Sequence, residues 1–177
     1  LLPGLIVIAS RQTRNILPAS ASLFSALAIT AFQPDLSQAL ALGAAMMVIL
    51  AHGKAGPRAQ LAAVIAIMGL LAIAWLKPDP LDPVPVVEGI VGLLWAQAPA
   101  MAAFAVASLF LACLTPLMAS VTPQSRIAGR ALTAYFLVTA AAPLIGNFPV
   151  PLVGLTMSPI LGFWIGVGLI TAPGRGS

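Results

Sequence analysis

The stretch AQLAAVIAIMGLLAIAWL, residues 59–76, runs from Arg58 to Lys77 without one charged side chain. As a helix it would be about 27 Å long at 1.5 Å per residue, close to the ~30 Å hydrocarbon core of a bilayer. A segment so uniformly apolar has no polar face to turn towards water, so it reads as a membrane-spanning helix. Five more runs read the same way: Ile16–Phe32, Leu36–Leu50, Glu88–Ala119, Ala131–Gly146 and Leu152–Ala172. The expected fold is all-α, a polytopic transmembrane bundle of about six spanning helices forming a single domain over residues 1–177. The fourth run is longer than a span needs, and Pro99 and Pro116 are expected to kink or divide it.

Composition agrees. Hydrophobic residues make up 60% of the chain and charged residues 7%, against roughly 25% charged in soluble domains. A soluble globular domain is excluded on that ground. The net charge of +4 does not indicate nucleic-acid binding, because the basic residues are scattered in short turns rather than gathered in a patch. A single cysteine, Cys113 within an apolar run, rules out a disulfide framework. The opening run, Leu1–Ser10, is too short to span and reads as the tail of a helix whose beginning is missing.

The turns carry the topology. Arg11, Arg14, Lys54, Arg58, Arg126, Arg130 and Arg175 fall in alternate connections, so seven of the eight basic residues share one side. Asp35, Asp79, Asp82 and Glu88 fall on the other, with Lys77. The positive-inside rule makes the basic side cytoplasmic, and the C-terminus with it. Trp75 beside Lys77 reads as an interfacial anchor. Gly162 and Gly166 share a face of the last helix and suit close helix packing. His52 has no acid or cysteine on its own side to complete a metal site. The turn Gly53–Arg58 lacks phosphate-loop spacing. Arg126 and Arg130 are topology determinants that could also meet anionic lipid headgroups.

Three motifs stand out. Gln33-Pro34-Asp35-Leu36 closes one span and opens the next, with Asp35 placed to cap the following helix. Gly53-Lys54-Ala55-Gly56-Pro57-Arg58 forms a basic turn one helix later. Phe148-Pro149-Val150-Pro151-Leu152-Val153, followed by Gly154-Leu155-Thr156-Met157-Ser158, opens the last span with an extended Pro-x-Pro break. In order and spacing, these resemble the SEDS family of shape, elongation, division and sporulation proteins, the membrane glycosyltransferases FtsW and RodA. That family carries Gln-Pro-Asp-Leu-Gly-Thr at the first place and Pro-Leu-Pro-Leu-Val-Ser-Tyr-Gly-Gly-Ser at the last. The likeness covers most of this chain, as the C-terminal portion of a longer ten-span bundle.

The resemblance implies a protein of bacterial cell-wall synthesis and cell division in the cytoplasmic (inner) membrane, using a polyprenyl-linked sugar precursor. It also implies a penicillin-binding-protein transpeptidase and upstream transmembrane helices as partners, and a divalent cation as the candidate cofactor. Transfer of a sugar from a lipid pyrophosphate wants a carboxylate base near the acceptor hydroxyl. Glu88 is the first candidate, standing where the family has its proposed catalytic aspartate, and Asp82 is the second. The alternative for Glu88 is a first-turn carboxylate that complements the helix dipole. Gln33, Asp35, Lys77, Pro149, Pro151 and Ser158 are the candidate substrate-binding residues. Departures are plain: Leu36-Ser37-Gln38 replaces Leu-Gly-Thr, Leu155-Thr156-Met157 replaces Tyr-Gly-Gly, and residues 77–87 stand in for a long extracellular loop. A degenerate relative serving as a membrane scaffold or partner-binding subunit is the alternative, and a transporter the third, disfavoured by scarce mid-membrane polar residues.

Overall fold

Proline marks where three of the helices begin. Pro57, Pro99 and Pro123 each stand in the first helical turn, where the missing N–H costs nothing and the fixed φ suits the helix. The computed structural model describes residues 1–11, 16–33, 35–53, 55–77, 89–146, 148–152 and 157–172. Among these residues there are helices and connections but no strand. The helices are α1 (Leu2–Arg11), α2 (Ile16–Phe32), α3 (Leu36–His52), α4 (Pro57–Leu76), α5 (Ile90–Gln97), α6 (Pro99–Met118), α7 (Pro123–Ala141) and α8 (Met157–Thr171), with a 3-10 turn at Ala142–Leu144.

Three segments among the described residues are long and apolar enough to cross a membrane: Pro57–Leu76, Pro99–Met118 and Ser125–Leu144. The remaining apolar helices are shorter, between 10 and 17 residues. A structural basis for all six expected spans is therefore not given by helix length alone.

The interior is organised around α7. It packs most extensively on α3 and also meets α1, α6 and α8. Its buried positions Ser125, Ala128, Leu132, Phe136 and Thr139 recur every three or four residues, the period of one helix face, and buried Ala131, Thr133 and Tyr135 widen that face as befits a central helix. Facing them are Ala39, Leu42, Ala45 and Met46 of α3 and Ile6 and Val7 of α1, all in one apolar core. Helix α1 packs against α2, α3, α7 and α8. Gly162 and Gly166 of α8 do form the expected close-packing face: a Cβ at either would lie within 3.3 Å of the Pro3 ring. Gly168 faces open space.

The fourth run is divided at Pro99, one of the two prolines expected to kink or divide it. The chain breaks at Ala98 (φ −150°, ψ 77°), because a residue before proline is pushed out of the helical region. Helix α5 then lies back along the first half of α6, and the two enclose an apolar groove of about 150 Å³ lined by Ile90, Val91 and Leu94 against Ala102, Ala105 and Leu109. Small alanines on α6 permit that approach. Pro116, by contrast, divides nothing and lies buried inside α6.

Two boundaries also move. Helix α7 starts at Pro123 rather than Ala131, because Thr122 and Ser125 form a capping box. The Ser125 amide donates to Thr122 Oγ1 (3.1 Å) and the Thr122 amide to Ser125 Oγ (2.8 Å). Arg126 and Arg130 are therefore helical residues rather than turn residues. Leu152, where the last span was expected to open, is a turn residue, and α8 is described from Met157.

Candidate functional site

At the end of the bundle where α2 passes to α3, Asp35 has the role its position suggests. Its Oδ1 accepts from the Gln38 amide at 3.1 Å and from Ser37 Oγ at 3.0 Å, capping α3. A carboxylate there satisfies an amide left free by the first helical turn and complements the helix dipole. Gln33, two residues earlier, is exposed, with its amide bonded to the Ile29 carbonyl at 2.9 Å.

From Asp35 the polar contacts lead inward. The Tyr135 hydroxyl of α7 donates to Gln38 Oε1 of α3, tying together the two most extensively packed helices. The Tyr135 carbonyl accepts from Thr139 Oγ1 at 2.8 Å. An edge-to-face series then runs from Tyr135 to Phe136, Phe163 and Trp164, with ring centroids 5.2, 5.2 and 5.5 Å apart. This places one polar tip against an otherwise apolar aromatic column.

Lys77 closes the same end from α4. Its Nζ donates to the Phe32 carbonyl at 3.1 Å and lies 5.4 Å from the Phe32 ring. The last carbonyls of a helix lack intrahelical partners, and a cation there also suits the negative end of the dipole. Lys77 is thereby brought beside the Gln33–Asp35 turn, though its described partner is a backbone carbonyl and not a carboxylate.

The other candidates fall elsewhere. Pro149 is half-buried and Pro151 buried, held by Val150, which belongs to the apolar core. Leu152 follows with φ 63°, a left-handed conformation uncommon for a side-chain-bearing residue. Ser158 lies in the first turn of α8. Glu88 and Asp82, the two proposed catalytic carboxylates, lie outside the described residues, as do Pro34 and Asn147. The structure thus joins Gln33, Asp35 and Lys77 at one end.

Tyr135 and Gln38 were not among the candidates. A signal existed for Tyr135, the one tyrosine of the chain, since a hydroxyl inside an apolar run needs a partner. Ser37 and Gln38, just after the Gln-Pro-Asp-Leu motif, are the residues that hold Asp35 and Tyr135.

The opposite end is basic. Arg130 Nη1 meets His52 Nε2 at 2.8 Å, Arg11 Nη2 donates to the Ile170 carbonyl at 3.1 Å, and Gln60 Nε2 donates to the Leu50 carbonyl at 3.3 Å. Arg58 and Arg126 are exposed in the first turns of α4 and α7. No group of three His, Cys, Asp or Glu side chains that could hold a metal ion occurs among the described residues.

No protein-family model, curated protein or solved structure matches this chain. What fold and site define is an all-helical protein carrying three helices of membrane-crossing length and composition, with polar contacts concentrated towards the ends of its helices.

Proposed function

We propose that this chain is a SEDS-like membrane protein of bacterial cell-wall synthesis, acting at its outer end on a polyprenyl-linked sugar precursor. In this reading α2, α3, α4, α6, α7 and α8 cross the inner membrane, with the basic turns and the C-terminus in the cytoplasm. The shorter helices are accommodated by local thinning of the bilayer. The observation that carries the reading is the meeting of Lys77 with the Gln33–Asp35 turn through the Phe32 carbonyl. It puts a cation beside the first motif, at the end where a lipid pyrophosphate would be held. Glu88 would accept the proton of the acceptor hydroxyl, and a divalent cation would supply charge to hold the departing pyrophosphate. Partner helices preceding Leu1 and a penicillin-binding-protein transpeptidase belong to the same proposal.

A second reading, a scaffold or partner-binding subunit without turnover, is favoured by one specific observation. Asp35 is engaged as a helix cap and Lys77 as a carbonyl partner, so both described charges at this end already serve the fold.

Glu88→Gln separates the two. With partner helices present, polymer formed from labelled lipid-linked precursor and resolved on a gel should fall by ~10²–10⁴-fold, the usual cost of losing a general base. Asp82→Asn should be mild. Equal polymer from Glu88→Gln and the parent would remove the catalytic assignment and leave the scaffold.

A further inference from the structure

Arg130 stands five residues inside the membrane-crossing segment Ser125–Leu144, on the same exposed face of α7 as Arg126, one turn earlier. A cation at that depth needs a partner, and the structure supplies an unusual one. An arginine has only donors, so the 2.8 Å contact from Arg130 Nη1 makes His52 Nε2 the acceptor. The His52 proton must then lie on Nδ1, which faces the Val48 carbonyl at 2.8 Å. The chain of bonds from α7 to α3 therefore exists only while His52 is neutral.

Protonation removes the acceptor. It also sets an imidazolium against a guanidinium, with Arg126 one turn before Arg130 on α7 and Arg58 in the first turn of α4. Arg11, at the same end of α1, is turned away to the Ile170 carbonyl of α8. Asp35, the described carboxylate, caps the far end of α3. With no described acid at hand, the group that can reconcile the cations is an anion from outside the chain. The contact lies near the end of a helix of membrane-crossing length, from which long basic side chains reach outward to the headgroup layer.

We propose that Arg126, Arg130 and His52 form a binding site for the phosphate of an anionic membrane lipid, occupied more strongly when His52 is protonated. At higher pH His52 holds Arg130 against α3. At lower pH the released guanidinium and the imidazolium grip the phosphate together, so the lipid and the proton bind cooperatively. The site requires only that α7 crosses a bilayer and is independent of the glycosyl-transfer reading.

The test is binding of fluorescently labelled phosphatidylglycerol to the full chain in neutral detergent–phosphatidylcholine micelles, between about pH 8 and pH 5.5, the range in which histidine changes charge. Each cation near a headgroup is worth about a fivefold change in affinity. Affinity should rise about fivefold on acidification in the parent. His52→Gln should bind as the parent does at high pH and show no rise. Arg126→Gln, which alters an exposed side chain and no packing, should weaken binding about fivefold at every pH, and Arg130→Gln should do the same or more. A flat profile in the parent, a rise retained in His52→Gln, or undiminished binding in Arg126→Gln would each overturn the proposal. Inorganic phosphate at the lipid's concentration should leave the lipid bound. Displacement by it would mean a site for free anions, against the lipid assignment.

Discussion

Replacing Gly129 by alanine is expected to loosen the crossing of α6 and α7. Gly129 lies where the C-terminal end of α6 rests on α7. A Cβ built there would come 2.6 Å from the Pro116 carbonyl oxygen and closer still to Ser120 Oγ. The serine could rotate, but the carbonyl belongs to the backbone. Ser120 Oγ also donates to that carbonyl at 2.6 Å, so moving the hydroxyl breaks a buried hydrogen bond. Bringing the Cβ out to an ordinary 3.4 Å contact shifts one helix by about 0.8 Å. Overpacking of this kind costs about 1–3 kcal/mol, while alanine in a helix recovers up to ~1 kcal/mol over glycine. With the helix gain taken in full, a net loss of up to about 2 kcal/mol follows, or a melting point lower by up to about 8 °C for a chain of this size. The buried thiol of Cys113, on α6 itself, provides the assay: a thiol-reactive dye reports its exposure during heating in detergent. Gly168→Ala is the control, since nothing lies within 4 Å of its added Cβ, and it should melt at or above the parent. If Gly129→Ala also melts at or above the parent, the close approach at Pro116 is not what positions α6.

Three further outcomes are expected. Asp35→Ala should cost ~1 kcal/mol through loss of the α3 cap, with Asp35→Asn nearly neutral because its side-chain oxygen still accepts from the Gln38 amide; the same melt distinguishes them. Tyr135→Phe should cost about 0.5–1.5 kcal/mol, and a double-mutant cycle with Gln38→Leu should return a coupling of similar size, where zero coupling would deny the bond between α7 and α3. In a Cys113-free background, cysteine at Gly56, which has open space around its Cβ, should resist an impermeant reagent added from outside. Cysteine at Asp82 should react, and the reverse pattern would invert the topology.

Much of the bundle was legible because its causes are local. Charge-free runs bounded by proline, glycine and short basic turns place α2, α3 and α4 to within a residue or two, since hydropathy and helix stop signals act over a few residues. Asp35 could be read as a cap for the same reason: an acceptor just before an apolar run has one obvious donor set. The start of α7 was missed because Arg126 and Arg130 look like the end of a span to a hydropathy reading. In the fold, the Thr122–Ser125 box carries the helix through both arginines. Of the candidate site, Gln33, Asp35 and Lys77 share an end, while Tyr135 and Gln38, 97 positions apart, left no pairwise trace in the linear chain.

That the chain is helical and apolar, and which connections are basic, could be read from the residues alone. These are sums over neighbouring residues, and no distant contact can change them. Packing between distant residues sets the rest: Ile90–Gln97 folds back on α6, α7 lies at the centre, and Arg130 meets His52 across 78 positions. Proline at 99 permits a break without giving its angle. The angle comes from the alanines of α6 and the apolar side chains of α5 finding one another. Likewise, a lone histidine and an arginine acquire a shared proton arrangement only when two helices bring the ring nitrogen within reach of the guanidinium.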